Sequence, residues 1–446
     1  MTASARVHIV GAGIAGLAAA VRLTGAARPV VLYEATEHAG GRCRSFFDNE
    51  LGCRIDNGNH LLLAGNSAAL AYIERIGALG TFERPAEAAV PFIDLATCER
   101  WELRPNAGVL PWWPLDRSRR VPGTKAVDYL EVLRLRRATA RATVAAVLDS
   151  RTLLYRRLWQ PLAVAALNTS AEQGSAKLFW RVLLETLGRG GTACRALVPH
   201  LGLSESLIDP ALAFLRRRGA EIRFGARLRG IEFAGGRAAG LLFDDSTVAL
   251  GASDSVILAV PASVAARLLP GLPVPVDHAP IVNAHYRCAP PPDSPLFIGV
   301  IGGTAEWVFK KRDVVSVTVS AADRLVDEPP AILAERLWRD VAAACRIPAD
   351  PIPPVRIVKE RRATFRATPQ QVEKRPGAAT RWNNLHLSGD YVDTGLPATI
   401  EGAIRSGFAA AVRASRDPNP AAAVIPVTMR RMLTPETTED RQRALP

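Results

Sequence analysis

The amino-acid sequence predicts an α/β protein whose first domain, built on a parallel sheet, is interrupted by a second, α+β domain. Three observations support this. A glycine-rich turn joins an apolar strand to an alanine-rich helix within residues 6–23. After Gly80 the pattern changes to alternating strands, beginning with a pair at 90–95 and 99–103, which indicates an inserted domain. An apolar strand with a Gly-Asp turn at 385–390 then leads into a last helix and closes the first domain.

The turn after the first strand has the sequence Gly11-Ala12-Gly13-Ile14-Ala15-Gly16, and the second strand, 30–33, ends on Glu34. Glycine permits the tight turn at 11, leaves the backbone at 13 open to a pyrophosphate, and lets the helix pack closely at 16. The free N–H groups at the helix start and the helix dipole attract phosphate. Glu34 would accept hydrogen bonds from a ribose 2′-OH and repel a 2′-phosphate. These residues predict a Rossmann-type dinucleotide site, with FAD and NAD both open.

Two further motifs follow, Gly40-Gly41-Arg42 and Arg54-Ile55-Asp56-Asn57-Gly58-Asn59-His60. With the glycine loop, they resemble the FAD-containing amine oxidase and carotenoid desaturase superfamily. The resemblance implies FAD as the cofactor, with Gly41 and Arg42 along its pyrophosphate and ribityl chain. It also implies that the loop carrying Gly58, Asn59 and His60 passes the flavin ring. Without the resemblance, NAD would remain an alternative to FAD as the cofactor.

The same resemblance assigns three later positions. Asp390, after Gly389, would hold ribityl or pyrophosphate oxygens. The helix beginning near Ile400 would point its N-terminus at the pyrimidine edge of the flavin and stabilise negative charge there. Leu228 matches a residue whose backbone meets the adenine. Because a backbone contact tolerates many side chains, this last match is the weakest of the three.

The resemblance also implies two discontinuous domains. The FAD-binding domain would comprise residues 1–70, 190–265 and 380–416. The substrate-binding domain would comprise 71–189 and 266–379, with a many-stranded sheet and helices that roof a substrate cavity. From 417 to 446 the composition falls to Pro, Ala, Thr and charged residues, which predicts a flexible tail.

Composition excludes several classes of protein. The 446 residues carry a net charge of +13, but no zinc-finger spacing or RNA-recognition signature accompanies it, so no nucleic-acid partner is expected. The six cysteines form no C-x-x-C pair and suggest neither a metal site nor a disulfide framework. No apolar run is long enough for a transmembrane helix. A cytoplasmic protein is predicted, with attachment to the inner face of the membrane still allowed.

The segment 101–160 is unusual because it carries twelve basic and five acidic residues. It contains Trp112 and Trp113 beside prolines, and then Arg117, Arg119 and Arg120. A helix is predicted from 125 to 148. Tryptophan and arginine together suit a membrane interface, so peripheral contact with lipid is one interpretation. The other is that both tryptophans belong to the core and the arginines form a solvated face or reflect a GC-rich genome.

Three reactions are open to such a flavoprotein. Amine oxidation is disfavoured because Leu396 and Thr399 stand where that branch of the superfamily places two aromatic residues. Carotenoid desaturation fits the overall layout. The runs Trp159-Gln160-Pro161-Leu162, Leu167-Asn168-Thr169 and Pro397-Ala398-Thr399-Ile400-Glu401-Gly402-Ala403 resemble the hydroxysqualene dehydroxylases, up to about residue 415. That branch implies reduction of hydroxysqualene to squalene, in squalene and hopanoid biosynthesis. A non-enzymatic prenyl carrier of the same fold is the fourth interpretation.

The resemblance to that branch implies a long apolar isoprenoid substrate and an unidentified electron donor. His60 is the candidate proton donor for the departing hydroxyl group, because histidine titrates near neutral pH and its loop passes the flavin. Asn168 and Thr169 are polar residues in an apolar run and could orient the hydroxyl. Each of the three also has a structural interpretation, as a hydrogen-bonded residue of the fold.

Overall fold

The computed structural model describes residues 5–24 and 28–415. The predicted flexible tail, 417–446, lies outside the described residues. Five parallel strands form the first sheet, in the order β10-β2-β1-β14-β20. These strands are β1 (Val7–Val10), β2 (Val30–Tyr33), β10 (Glu221–Arg223), β14 (Ser255–Leu258) and β20 (Leu385–Leu387). All five fall within the segments predicted for the FAD-binding domain, although the domain boundaries themselves remain a prediction.

Small residues let two helices pack closely on this sheet. They are α1 (Ile14–Leu23) and α10 (Ile400–Ala414). At the crossing, a β-carbon added to Gly407 would lie 2.3 Å from the carbonyl oxygen of Ala15. Any side chain at 407 would therefore force α10 away from α1. Helices α2 (Ser67–Arg75) and α6 (Asp209–Arg217) complete this layer.

A seven-stranded, mostly antiparallel sheet forms the second unit, in the order β19-β15-β18-β17-β16-β7-β8. The strands are β7 (Val90–Asp94), β8 (Glu99–Leu103), β15 (His278–Arg287), β16 (Phe297–Ile301), β17 (Trp307–Lys311), β18 (Val314–Val319) and β19 (Val355–Phe365). Its outer face packs valines against α8 (Pro330–Cys345). Its inner face turns toward the first unit and toward α3 (Val144–Val147), α4 (Gln160–Leu167) and α5 (Ala176–Glu185).

Smaller elements connect the two units. The hairpin of β3 (Ser45–Asp48) and β4 (Cys53–Asp56) precedes the loop that carries His60. The short strands β5 (Leu62–Leu63), β6 (Phe82–Glu83) and β9 (Ala196–Pro199) pair with one another. The predicted Gly-Gly hairpin is confirmed in β11 (Leu228–Ala234) and β12 (Arg237–Phe243), which pair with β13 (Thr247–Ala249). The remaining helices are α7 (Ala262–Leu268) and α9 (Pro369–Glu373).

The predicted long helix from 125 to 148 is wrong. The structure has a 3₁₀ helix at Ala126–Arg137 and the separate, short α3. The reason is visible in the spacing, because Tyr129, Val132 and Leu135 turn inward at every third residue. A 3₁₀ helix has three residues per turn and keeps such a stripe on one face, whereas an α-helix would rotate it away.

The two adjacent tryptophans have different environments. Trp113 is only 4% exposed and packs edge-on against Tyr129, with ring centroids 4.9 Å apart. The predicted membrane contact of Trp113 is therefore wrong, because its ring belongs to the core. Trp112 is 49% exposed and lies under the guanidinium of Arg119. Arg120 is held to the fold by a hydrogen bond to the carbonyl oxygen of Pro114 (2.6 Å).

Candidate active site

The glycine loop has the conformation that its residue types require. Gly11 has φ +105°, and its N–H donates to the carbonyl oxygen of Tyr33 at 2.7 Å. A β-carbon on Gly16 would lie 1.9 Å from the Gly11 carbonyl oxygen. In contrast, a β-carbon on Gly13 would meet no atom of the described chain within 4 Å. The space over Gly13 is thus open, as a pyrophosphate would need.

Gly13 is the N-cap of α1 and supplies no capping side chain. The first intrahelical bond of the helix runs from the N–H of Leu17 to the carbonyl oxygen of Gly13. The N–H groups of the turn before it, those of Ile14, Ala15 and Gly16, therefore have no intrahelical acceptor. They face the same open end of the helix, where the dipole is positive, and are suited to bind phosphate oxygens.

Glu34 is tied to the glycine loop. Its Oε2 accepts a hydrogen bond from the N–H of Ala12 at 2.9 Å, and its Oε1 accepts two from Thr36. The carboxylate is thereby fixed at the carboxyl end of β2, beside the loop. Oε2 keeps a lone pair that can accept from a ribose hydroxyl, so the geometry fits the predicted role.

Arg42 and Asp390 are far apart in sequence but meet close to the segment that follows the glycine loop. Gly40 bridges to Gly13, and Gly41 has φ +59°. The guanidinium of Arg42 pairs with Asp390 Oδ1 at 2.7 Å and donates to the carbonyl oxygen of Ala363. The Asp390 carboxylate raises the pKa of Arg42 further. Arg42 and Asp390, from two separate segments of the predicted FAD-binding domain, thus form one polar wall.

Asp390 begins a loop that returns to the start of α10. Gly389 has φ +152° and donates its N–H to Ser406 on that helix (2.9 Å). The buried guanidinium of Arg375 donates to the carbonyl oxygens of Leu396 (2.7 Å) and Val392 (2.6 Å), and so fixes the loop. Sequence reasoning missed Arg375, because an isolated arginine carries no motif.

Three buried polar atoms, two in the loop after Asp390 and one in the loop 57–60, lack a hydrogen-bond partner among the described residues. Within the described chain, the hydroxyl groups of Tyr391 and Thr394 and the Oδ1 of Asn59 are buried and make no hydrogen bond. Thr394 lies at the N-terminus of α10, where Ile400 begins the helix and Thr399 caps it. A flavin offers ring carbonyl and N–H groups that could satisfy such atoms. These residues fit FAD, and Tyr391 and Thr394 are additions to the predicted set.

The loop 57–60 is bonded to the inner face of the seven-stranded sheet. Asn59 donates to Thr318 Oγ1 (3.1 Å), Thr318 donates to Asn283 Oδ1 (2.8 Å), and Asn283 donates to the carbonyl oxygen of Asn57 (3.3 Å). A β-carbon on Gly58 would lie 3.2 Å from Asn283 Nδ2. This network fixes Gly58 and Asn59 against strands β15 and β18 of the seven-stranded sheet.

His60 follows in the same loop and is partly exposed. Burial lowers the pKa of its imidazole to about 4; the Asp56 charge opposes this shift, and the charges of Lys311 and Arg42 add to it. The expectation that His60 titrates near neutrality is therefore not supported. At neutral pH the ring is uncharged, so it can orient a ligand through a hydrogen bond but is a weak proton donor.

Asn168 and Thr169 are structural in this fold. Asn168 ends α4 with φ +46°, donates to Ala279 O and Thr364 Oγ1, and accepts from the N–H of Ala321. Thr169 is fully buried; its hydroxyl donates to Leu167 O and accepts from the N–H of Ala367. Because these bonds occupy their polar atoms, the predicted orientation of a substrate hydroxyl by either residue is not supported.

Leu228 begins β11, is buried, and pairs with Phe243. Its backbone contact with an adenine stays a prediction. Among residues 5–24 and 28–415, no group of histidine, cysteine, aspartate and glutamate side chains could hold a metal ion.

The inner face of the sheet changes from polar to aromatic along one cross-strand row. The row runs Asn283, Thr318, Trp307, Gly299, Phe92 and Trp101. Gly299 has no side chain, which allows the rings of Phe92 and Trp307 to meet at 5.6 Å. The polar end lies beneath Asn59, and the aromatic end extends toward α4. An apolar ligand could therefore lie along the row with one end at the loop 57–60.

Comparison with known proteins agrees with this geometry. The sequence pattern of the flavin containing amine oxidoreductase family matches residues 14–415. A hydroxysqualene dehydroxylase of Rhodopseudomonas palustris is 49% identical over 92% of this chain and 98% of its own length. One of Zymomonas mobilis is 46% identical over 91% and 97%. These relatives confirm the resemblance predicted from the sequence.

Solved structures share the fold at low identity. Cyclohexylamine oxidase from Brevibacterium oxydans superposes with a TM-score of 0.67 at 16% identity, covering 92% of this chain and 98% of that one. An oxidoreductase from Methanosarcina mazei gives 0.68 at 14% identity, covering 91% and 99%. The predicted α/β architecture is thereby confirmed. Sequence, site geometry and relatives together show that the chain is an FAD-dependent oxidoreductase and belongs to the flavin containing amine oxidoreductase family.

Proposed function

We propose that this enzyme reduces hydroxysqualene to squalene. The observation that carries the proposal is the identity of 46–49% to three proteins named hydroxysqualene dehydroxylase, over more than nine-tenths of this chain. In the reaction the C–O bond breaks, the hydroxyl group leaves with a proton as water, and a hydride replaces it on carbon. Reduced FAD supplies that hydride and its two electrons when bound, and a donor still to be identified reduces the flavin again.

The residues beside the expected flavin support this reaction over amine oxidation. Leu396 is buried and aliphatic, and its carbonyl oxygen is bonded by Arg375. Thr399 uses its hydroxyl to cap α10 by accepting from the N–H of Gly402 at 3.0 Å. Neither position offers the aromatic ring that would align an amine. A zeta-carotene desaturase of Synechococcus elongatus is 28% identical over only half of this chain, which favours the first assignment.

The chain's own contribution would be to hold a long apolar molecule and exclude water. Phe92 and Trp307 offer apolar walls along the inner face, and Leu158 and Leu167 belong to the same buried cluster. A dry site matters because water would trap the carbocation left when the C–O bond breaks. His60, uncharged at neutral pH, would orient the polar end of the substrate through a hydrogen bond.

The proposal predicts a single anaerobic turnover. The flavin of the holoenzyme is reduced with dithionite, hydroxysqualene is added in detergent, and flavin absorbance and lipid products are followed together. We expect one flavin reoxidised for each squalene formed. Reduced holoenzyme without substrate is the control. If the flavin stays reduced, and oxidised enzyme instead desaturates a carotenoid precursor, the assignment moves to a desaturase.

The proposal extends to where the enzyme meets its lipid substrate. Seven of the fourteen large apolar side chains that are exposed in the described residues fall within the segment 109–133, and we name these seven the apolar surface. It comprises Val109, Leu110, Trp112, Leu115, Val127, Leu130 and Leu133. Leu110 is 82% and Leu115 73% exposed. The last three members form an outward stripe at every third residue of the 3₁₀ helix, opposite its buried stripe.

Basic side chains accompany the apolar surface in the same part of the chain, 117–141. Arg117, Lys125, Arg134, Arg136, Arg137 and Arg141 are all exposed. Burying one leucine in lipid stabilises the bound state by about 1.5–3 kcal/mol, and each arginine near anionic lipid adds about 1 kcal/mol. No helix among residues 5–24 and 28–415 is long and apolar enough to span a bilayer. We therefore propose peripheral attachment at the cytoplasmic leaflet, where an isoprenoid substrate resides.

Replacing three members of the apolar surface should release the protein from membranes. The variant Leu110→Ser/Trp112→Ser/Leu115→Ser is expected to co-sediment at least tenfold less with vesicles of 70% phosphatidylcholine and 30% phosphatidylglycerol. The matched control is Val276→Ser/Ile332→Ser/Ile352→Ser, which changes three exposed apolar residues elsewhere. High salt should weaken binding of the wild type. Equal sedimentation of wild type and triple variant would refute the membrane assignment.

A further inference from the structure

A cavity of about 180 Å³ lies between the aromatic end of the inner sheet face and α4. The sheet contributes Phe92 and Trp307, and the helical side contributes Gln160, Pro161 and Val164. Glu306, immediately before β17, lines the same cavity. None of these residues belongs to the sites predicted from the sequence. The cavity is thus an apolar space with one carboxyl group at its wall.

Strand pairing connects this cavity to the loop 57–60, which is predicted to pass the flavin ring. Trp307 stands directly opposite Thr318, and Thr318 accepts the hydrogen bond from Asn59. Neighbouring strands are about 4.8 Å apart, so the indole begins one strand away from the loop predicted to pass the flavin ring. The cavity therefore lies at the aromatic end of the same row of side chains whose polar end contacts this loop.

The Glu306 carboxyl group has few partners. Its Oε2 accepts a hydrogen bond from the N–H of Ser320 at 2.8 Å. Burial raises the pKa of the carboxyl group to about 7, and the hydrogen bonds from Ser320 offset only part of that rise. Three charged groups lie nearby. Arg156 is exposed and lines the cavity. Asp94, which pairs with Arg157 at 2.9 Å, approaches Gly302, and Asp340 Oδ2 accepts from the N–H of Ala305 at 2.8 Å. A large share of Glu306 is therefore protonated at neutral pH.

We propose that Glu306 is the proton donor that lets the hydroxyl group of the substrate leave as water. The inference rests on the proposed function. The O–H bond of Glu306 breaks, its proton goes to the substrate hydroxyl oxygen, and the C–O bond breaks with both electrons leaving on water. The carbon left electron-deficient would lie beside the aromatic rings of Trp307 and Phe92, which line the cavity and can stabilise a cation. Reduced FAD, when bound, would supply the hydride. Glu306 regains a proton from solvent at the mouth beside Arg156 and Gly302.

The test compares Glu306→Gln and Glu306→Asp with the wild type in the anaerobic single-turnover reaction. Glutamine can still accept from the N–H of Ser320, so the fold should be kept while the acidic proton is lost. We expect flavin reoxidation by hydroxysqualene to slow by at least 100-fold in Glu306→Gln, since general acids contribute on the order of 10²–10⁴-fold. Glu306→Asp should retain part of the rate. Glu335→Gln, an exposed acid on α8, is the matched control and should be unaffected.

Two further readouts separate proton donation from a structural role. The wild-type rate should fall as pH rises through about 7, because the carboxyl group must be protonated, and this dependence should vanish in Glu306→Gln. Infrared difference spectra should show a protonated carboxyl band at neutral pH that titrates with the same midpoint and is absent in Glu306→Gln. If Glu306→Gln reoxidises within threefold of the wild type, the inference is wrong while the proposed function stands. If the wild type itself forms no squalene, the proposed function fails and the inference with it.

Discussion

A Gly13→Asp variant is expected to fold at least as stably as the wild type and to purify without flavin. Gly13 has φ −70° and ψ 173°, an extended conformation that any residue adopts, and an added β-carbon would meet no atom within 4 Å. Aspartate is also among the best N-cap residues, so replacing the N-cap glycine should stabilise the helix start by roughly a few tenths of a kcal/mol. The same carboxylate would occupy the open space where the pyrophosphate is expected.

The expected loss of affinity follows from charge. Two like charges about 4 Å apart repel by about 4 kcal/mol at the effective dielectric constant near a protein surface, which lowers affinity roughly 1,000-fold. Flavin occupancy is measured by the absorbance ratio of the purified protein and by titration with FAD, and stability by thermal unfolding of the flavin-free forms. Gly80→Asp is the matched control, because a β-carbon there also meets nothing and the site is distant. Stoichiometric flavin in Gly13→Asp would show that the pyrophosphate lies elsewhere.

A contrasting substitution, Gly16→Ala, tests how closely α1 packs against the glycine loop. Gly16→Ala places a β-carbon 1.9 Å from a backbone oxygen, which cannot move without separating α1 from the loop. We therefore expect Gly16→Ala to unfold at lower temperature even without flavin, the reverse of Gly13→Asp. The two glycines thus have different roles: Gly16 allows close packing of α1, and Gly13 leaves space for the ligand.

The nucleotide half of the fold could be predicted from sequence because its requirements are local. Gly11, Gly13 and Gly16 are required for backbone conformation or for close approach, and both requirements are set within one strand–turn–helix, residues 7–23. Arg42 and Asp390 were each assigned to the cofactor through resemblance to a family. No local pattern indicates the ion pair between them, which spans almost the whole chain.

The substrate half could not be predicted as well, because its properties depend on partners distant in sequence. The sequence allows Asn168 to bind a ligand, but in the fold its amide group is hydrogen-bonded to the backbone of Ala321 and Ala279. Trp113 could not be assigned to the core before its contact with Tyr129 was known. Glu306 has no motif, and its raised pKa arises from burial alone. In each case tertiary contacts decide the role of a residue whose local sequence permits several.

The buried ion pair of Asp56 and Lys311 joins the two units of the structure. Asp56 ends β4 in the nucleotide unit, while Lys311 ends β17 in the seven-stranded sheet. Asp56 Oδ1 also accepts from Ser45 Oγ (2.6 Å) and from the N–H of Leu203 (2.9 Å). Although burial alone would raise its pKa, the ammonium group of Lys311 and these hydrogen bonds hold the pKa of Asp56 below its usual range.

Lys311→Met is therefore expected to cost about 3–5 kcal/mol of unfolding free energy at pH 7, because it leaves a buried carboxylate without its cation. In the wild type the lowered pKa contributes stability that is present above the pKa of unfolded Asp56, near 4, and is lost as pH falls below it. In the variant burial raises the pKa instead, so the deficit should be largest at pH 7 and shrink as the pH falls toward 4. Urea unfolding at several pH values measures this.

The double variant Asp56→Asn/Lys311→Met distinguishes charge from packing. An asparagine oxygen can still accept from Ser45 and Leu203, so removing both charges should recover much of the stability lost in Lys311→Met and abolish its pH dependence. Arg339→Met, which breaks an exposed pair with Glu335 on α8, is the control and should cost less than about 1 kcal/mol. If Lys311→Met lost no more unfolding free energy than Arg339→Met at pH 7, the explanation would be wrong. Water would then have to solvate the Asp56 carboxylate, despite its burial between the two units.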